Sequence, residues 1–270
     1  MNVCVIIPAA GASRRYGSDK LAQDLGGRSL LLRTVELFTK REEVKSIVVA
    51  APPDAMDEFR DRYGAQLGFH GVLVVAGGRV ERWETVRNAL AAVPGEATHV
   101  AIHDAARPAT PTTLIDRVFE AARKFRAVIP GLAVHATVKR VGEQGESAVE
   151  EDPIADMILG IGAGGEAAAS EVASRIPQAH RVVETIDRRH LVTIETPQVF
   201  EAALLRRAYA AAALDGATDD AQVLERFGEP VWVVDGDPRN VKVTTPADLE
   251  LVRAILRVPP PAERPVHKRF

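Results

Sequence analysis

Four short stretches of this 270-residue chain carry residue types suited to phosphate chemistry. The first is Pro8-Ala9-Ala10-Gly11-Ala12-Ser13-Arg14-Arg15-Tyr16-Gly17-Ser18-Asp19-Lys20, directly after an apolar run. Small residues let a backbone approach a ligand closely, and successive N–H groups can cradle phosphate oxygens. Arg15 and Lys20 add mobile positive charge beside that cradle. The stretch is neither a Walker loop nor a dinucleotide turn, since Gly-x4-Gly-Lys-Ser/Thr and Gly-x-Gly-x-x-Gly are both absent. The plain alternative is a flexible basic surface loop.

The second stretch is His103-Asp104-Ala105-Ala106-Arg107-Pro108. An acid and a cation three residues apart suit a polar substrate and its phosphate. They equally suit a helix cap with a surface ion pair. His103 itself reads as structural. The third is Gly77-Gly78 followed by Glu81, Arg82 and Thr85, where a glycine pair would let a flat base come close, or would simply end a strand. The fourth comprises two late cations, Arg188 in TIDR and Lys242 in NVKVTTP. Lys242 stands between two valines, and strand alternation would turn it away from both. A solvated surface lysine is the other reading.

The elements that must hold these stretches follow an alternating pattern. Apolar runs at Val3 to Ile7, Ser46 to Ala51, Gly71 to Ala76, Thr98 to Ile102 and from Ala127 read as strands. Between them, apolar residues recur at helical spacing: Leu30, Leu31, Val35 and Phe38; Asp57 to Tyr63; Val86, Ala89, Leu90 and Val93; Leu114, Val118 and Ala121. This predicts a doubly wound α/β sheet, with ligands gathered at the carboxyl ends of the strands. Three of the four stretches begin or end at such a place. Later, Val134 to Val141 alternates like an exposed strand. Gly142 to about His180 is acidic and then Gly/Ala-rich, and reads as a mobile loop or, over Glu166 to Ser174, a helix. Arg181 to Ile186 reads as regular structure. A helix from Phe200 to about Leu214, a strand at Val231 to Val234 and a helix over Pro246 to Leu256 follow. The Pro-rich tail from 258 reads as disordered.

Composition narrows the classes. Hydrophobic residues make up 46% and charged residues 26%, which excludes collagen-like and wholly disordered chains. A net charge of −3 argues against general nucleic-acid binding. Cys4 is the only cysteine, so no intrachain disulfide can form, and its apolar run makes it a small buried hydrophobe. No apolar stretch reaches the ~18 residues of a membrane span, and the N-terminus lacks a basic n-region. The expectation is a cytoplasmic protein with no membrane partner.

Taken as a set, the segments PAAGASRR, GG…ER…TV…NAL, HDAARP, ATVKR, VETIDRRHL, TPQVF, GATDDA and GDPRNVKVTTPADL resemble the 2-C-methyl-D-erythritol 4-phosphate cytidylyltransferase family. The resemblance covers most of Met1 to Leu256. It implies a Rossmann-like nucleotidyltransferase fold: a mostly parallel doubly wound sheet in one domain over 1–257, with a protruding β-arm at about 134–190. It also implies a homodimer through that arm, and Mg2+ carried mainly on triphosphate oxygens without protein metal ligands. The implied reaction joins CTP to a polyol phosphate and releases pyrophosphate. The resemblance further implies a phosphate loop at Ala9, Ala10, Gly11, Arg15 and Lys20, and base recognition at Gly77, Gly78 and Thr85. Asp104 and Ala105 fall near the nucleotide, and Arg107, Thr137, Arg188 and Lys242 near the acceptor. Arg15, Lys20, Arg188 and Lys242 are the implied catalytic cations.

The chain departs from the family pattern in four places. The first loop is about two residues short and reads Ser-Asp-Lys-Leu, closer to the Asp-Lys of the molybdenum-cofactor nucleotidyltransferases. One extra residue follows Gly77-Gly78. Ala136 stands where an Asp is usual. An insertion occupies about 142–180. Three alternatives stand beside the family reading: a cytidylyltransferase for another polyol phosphate such as ribitol 5-phosphate, a molybdenum-cofactor guanylyltransferase, which shares only Asp-Lys and lacks TPQ and NVKVTTPADL, and a non-catalytic nucleotide-binding protein. No His/Asp or Cys/His pair stands out as a general base. None is needed, since a phosphate monoester with a second pKa near ~6 is already mostly a dianion at neutral pH.

Overall fold

The computed structural model describes residues 1–11, 19–147 and 178–259. The chain divides into two compact units, Met1–Ala133 with Val192–Phe270, and Val134–Leu191.

The first unit is a three-layer α/β/α structure. Its eight-stranded sheet comprises β1 (Val3–Pro8), β2 (Val44–Ala51), β3 (Leu73–Ala76), β4 (His99–Ile102), β5 (Ala127–Ala133), β8 (Val192–Ile194), β9 (Gln198–Glu201) and β10 (Trp232–Asp235). The order is β10-β5-β9-β4-β1-β2-β3, with β8 paired to β5. β1 lies parallel to β2 and β4, β2 to β3, and β10 to β5. β9 runs antiparallel between β4 and β5, and β8 is antiparallel to β5. The β-branched run of β1 explains its central place. Val3, Val5 and Ile7 enter the core on one face, and Cys4 and Ile6 enter the core on the other.

Each sheet face is covered by helices with matching apolar stripes. On the first face lie α1 (Leu30–Glu36), α2 (Met56–Phe69), α4 (Thr112–Ala122) and α7 (Pro246–Leu256). On the second lie α3 (Arg82–Leu90), α5 (Ala202–Ala211) and α6 (Asp220–Arg226). In α4, Leu114, Ile115, Val118, Phe119 and Ala122 form one buried stripe. Helix α7 starts where its sequence says it must. Thr245 and Asp248 form a reciprocal capping box, and Pro246 fills the first turn.

The second unit contains an antiparallel ladder of β6 (Val138–Ser147) and β7 (Gln178–Ile186).

Several sequence expectations are corrected. The helix expected from Phe200 begins at Ala202, because Gln198–Glu201 fills the slot between β4 and β5 and Phe200 is wholly buried there. That helix ends at Ala211 rather than about Leu214. The strand expected from Val134 starts at Val138 and continues past Gly142 to Ser147, because β7 pairs with it that far. Lys242 was expected on a strand, but Val241–Thr244 pairs with none of the described strands; Val243 N–H is instead spent on Ala106 O at 2.8 Å. β8 and α6 were not anticipated. For α6 the signal was present, since Asp219 caps it by accepting from Gln222 N–H at 2.9 Å. The Glu166 to Ser174 helix, most of the insertion and the tail lie outside the described residues.

Candidate active site

The ends of β1, β3 and β4 open on one cleft of about 570 Å³ in the first unit. Ala9, Ala10 and Gly11 come from the end of β1, Gly78 from the β3–α3 turn, Arg82 and Thr85 from the first turn of α3, and Asp104 and Ala105 from the end of β4. Lys20 and Lys242 complete the wall.

The turn after β3 explains its glycines. A Cβ on Gly77 would lie 2.7 Å from the Ala10 side chain and 3.1 Å from Ala51 O. On Gly78 it would lie 2.3 Å from Glu84 Cβ. The chain's own packing therefore demands both glycines. The turn is fixed by Gly78 N–H donating to Thr85 Oγ1 at 3.0 Å and Asn88 Nδ2 donating to Gly77 O at 2.9 Å. Thr85 is buried, its hydroxyl oxygen accepting from the loop.

The floor of the cleft is a buried polar network. Asp104 is 9% exposed. Its Oδ2 lies 3.0 Å from Lys242 Nζ and 3.2 Å from Arg107 Nε, and its Oδ1 lies 3.9 Å from Arg82 Nη2. Burial alone would raise its pKa. The surrounding Lys242, Arg82 and Arg107 charges outweigh that and hold the carboxyl well below its usual range. Arg107 is likewise buried, and its Nη1 donates to Asn240 O at 2.6 Å. Asn240 donates to Thr196 O at 2.8 Å and to Glu195 Oε2 at 3.2 Å, and accepts from Thr110 Oγ1 at 2.7 Å.

His103 is wholly buried beneath this floor. Its Nε2 sits 3.2 Å from Arg107 O, so Nε2 carries the proton and Nδ1 accepts from the Thr196 hydroxyl at 3.1 Å. Thr196 Oγ1 in turn accepts from Asp104 N–H at 3.0 Å. This chain of bonds needs a neutral imidazole, and burial pushes the His103 pKa down to about 4. The structural role expected for His103 fits this arrangement.

Lys20 opens a short 3₁₀ turn capped by Asp19, which accepts from Leu21 N–H at 3.0 Å. Arg62 and Tyr63 of α2 also hold Asp19, at 2.5 and 3.1 Å. Lys20 Nζ donates to Val243 O at 3.2 Å, which ties the two lysine-bearing loops together.

Of the residues singled out from sequence, Ala9, Ala10, Gly11, Lys20, Gly78, Thr85, Asp104, Ala105 and Lys242 meet at this cleft. Gly77 packs behind the loop, and Arg107 reaches Asp104 and Asn240 from within the floor. Arg15 lies outside the described residues. Thr137 and Arg188 belong to the second unit, where both are exposed and Arg188 donates to His135 O. Sequence reasoning gave no role to Thr196, Asn240, Arg82 or Asp220, although all four fall within quoted motifs.

The family model described as 2-C-methyl-D-erythritol 4-phosphate cytidylyltransferase matches residues 3–153 and 162–258. A protein of that name from Frankia casuarinae is 38% identical over 264 residues, 97% of this chain and 84% of the relative. One from Rhodococcus jostii is 39% identical over 258 residues, 94% of this chain and 95% of the relative. The crystal structure of 2-C-methyl-D-erythritol 4-phosphate cytidylyltransferase from Thermus thermophilus superposes with a TM-score of 0.66 at 31% identity, covering 96% of this chain and 100% of that one. A crystal structure of 4-diphosphocytidyl-2C-methyl-D-erythritol synthase gives a TM-score of 0.69 at 29% identity, covering 94% and 98%.

Proposed function

The chain belongs to the 2-C-methyl-D-erythritol 4-phosphate cytidylyltransferase family and is a nucleotidyltransferase, and from that premise we propose that it moves the cytidylyl group of CTP onto 2-C-methyl-D-erythritol 4-phosphate. The products are 4-diphosphocytidyl-2-C-methyl-D-erythritol and pyrophosphate. The observation that carries this reading is the convergence of three strand ends and two lysines on one cleft of nucleotide size.

In this reading an acceptor phosphate oxygen attacks the α-phosphorus of CTP. A new P–O bond forms, the bond to the bridging oxygen breaks, and pyrophosphate leaves. The nucleophile is already a dianion, so the obstacle is repulsion from the triphosphate. Catalysis is then charge neutralisation and in-line placement. Ala9 N–H is spent on Ala50 O at 2.8 Å, so the phosphate cradle begins at Ala10 and Gly11. Lys20, with Arg15, stabilises charge on the α-phosphate and the leaving group. The Gly77–Gly78 turn and Thr85 frame the base, and Ala105 and Asp104 face the ribose. Lys242 takes the acceptor phosphate. Thr137 and Arg188 serve the same phosphate from the arm, across the homodimer that the family resemblance implies.

Mg2+ prefers oxygen ligands and keeps much of its water. The described residues do not assemble a cage for it, since no group of three or more His, Cys, Asp or Glu comes together among them. Asp104 is met by three cations. As the family resemblance implies, the ion would be carried mainly on triphosphate oxygens, where it would supply charge neutralisation.

Pyrophosphate release with each of the four nucleoside triphosphates, against methylerythritol 4-phosphate and ribitol 5-phosphate, tests the reading. Turnover confined to CTP with methylerythritol 4-phosphate is expected. Turnover with ribitol 5-phosphate instead overturns the acceptor, and silence with CTP still raising the Tm points to binding without catalysis.

A further inference from the structure

Arg82, the first residue of α3, turns its guanidinium two ways. Nη1 lies 2.7 Å from Oδ2 of Asp220, and Nη2 lies 3.9 Å from Oδ1 of Asp104. Asp220 is wholly buried, and its Oδ1 accepts from the Tyr209 hydroxyl at 2.6 Å. Gln198 fixes the start of α6 on which Asp220 stands: its Nε2 donates to Asp219 Oδ2 at 2.9 Å and its Oε1 accepts from Ala221 N–H at 3.2 Å. Burial opposes the charge on Arg82, but Asp220 and Asp104 outweigh it.

The three cations around Asp104 are not equivalent. Lys242 and Arg107 share Oδ2, whereas Arg82 is the cation facing Oδ1 among the described residues. Arg107 is buried and committed to Asn240 O. The Lys242 side chain is 43% exposed, on a loop at the cleft. Lys242 is the cation that can leave. Taking a cation from a buried carboxylate is strongly unfavourable unless another remains.

We propose that Arg82, locked from behind by Asp220 and Tyr209, is the standing counter-ion of Asp104, so that Lys242 can leave that carboxylate for the substrate phosphates during turnover. This rests on the assignment of Lys242 to a substrate phosphate made above. With Lys242 gone, Asp104 and Asp220 face Arg82 and Arg107, two charges against two. With Arg82 neutralised, departure of Lys242 would leave the same two carboxylates facing Arg107 alone, so Lys242 stays where it is. Arg82 is thus a positioning residue that acts through Lys242.

The test is a double-variant cycle on the full chain: Arg82→Gln, Lys242→Ala, both together, and Arg82→Lys. Melting temperatures establish folding. Single-turnover pyrophosphate release gives the rate, and steady-state kinetics give KM for CTP. Arg82→Gln should slow the single-turnover rate by about tenfold or more and leave KM for CTP within about threefold, with Arg82→Lys recovering most of the loss. In the Lys242→Ala background the same change should cost no more than about twofold, because no lysine is left to release. Losses that multiply in the double variant overturn the proposal, as does an effect confined to KM for CTP. Should Arg82→Gln fail to fold, Tyr209→Phe replaces it in the cycle, removing only the hydroxyl that pins Asp220, and the same two patterns decide. Unimpaired Lys242→Ala sinks the reading on which the proposal rests; impaired Lys242→Ala with multiplying losses sinks the proposal alone.

Discussion

The cleft floor and the β6–β7 ladder both set opposite charges side by side, but in different solvents. In the floor, Asp104 and Arg107 are buried, and each is met by further fixed donors or acceptors. In the ladder, Arg140 lies 2.5 Å from Glu184 with side chains 64% and 51% exposed, and Val141, Val182 and Val183 are themselves exposed. Contact distance is the shorter in the ladder, yet the charge geometry matters more in the floor. A buried carboxylate has no water to fall back on, so its position is dictated by its partners. An exposed pair trades one set of partners for water at little loss.

Removing a charge from each region should separate them most clearly. Asp104→Ala leaves buried Arg107 without its carboxylate and takes one of two carboxylates from Arg82, and should destabilise the protein by about 3 to 5 kcal/mol, measured by urea unfolding at pH 7. A loss below about 1 kcal/mol would place the floor in the same class as the ladder. Lys20→Ala should lower turnover at least about a hundredfold, roughly 3 kcal/mol of transition-state stabilisation, while the Tm holds. Wild-type-like turnover in that variant removes Lys20 from the chemistry.

The floor should also respond to pH. Between pH 6.5 and about 4 the unfolded chain takes up a proton that buried His103 refuses. Stability therefore falls as pH drops through that window, by about 3 kcal/mol in all. His103→Gln should flatten the slope of unfolding free energy against pH, whatever its own stability; an unchanged slope assigns it elsewhere. Gly78→Ala comes next, at about 1 to 3 kcal/mol, because its Cβ meets Glu84 Cβ at 2.3 Å and α3 must shift. Smallest is Arg140→Ala, at under about 1 kcal/mol by thermal melting. A larger effect would mean that the ladder's ion pairs carry structure after all.

The same contrast explains what could be read from sequence. The floor's frame was legible because β1, β4 and the helices between them repeat an apolar period that only burial explains. Lys20, Asp104 and Lys242 were legible because charge at a strand end or within an apolar stretch is costly without a ligand or partner. Thr196, Asn240, Arg82 and Asp220 were not, because each acts on a residue far along the chain: Asn240 Nδ2 reaches Thr196 O, and Arg82 reaches Asp220. Spacing carries no trace of such pairings. β9 was missed for a related reason. Val199 and Phe200 suit a strand or a helix alike, and only the slot between β4 and β5 decides.

That slot has a consequence during synthesis. β4 and β5 leave the ribosome with their facing edges unpaired, and the strand that joins them is not made until residues 134 to 197 have followed. At ribosomal speeds the gap stays open on the order of several seconds. For that time the nascent chain exposes two apolar strand edges to any neighbour able to add a strand. The length of the excursion between β5 and β9 thus sets a window of vulnerability to aggregation, separate from anything the finished enzyme does. Shortening it should raise soluble yield even where stability and turnover are unchanged.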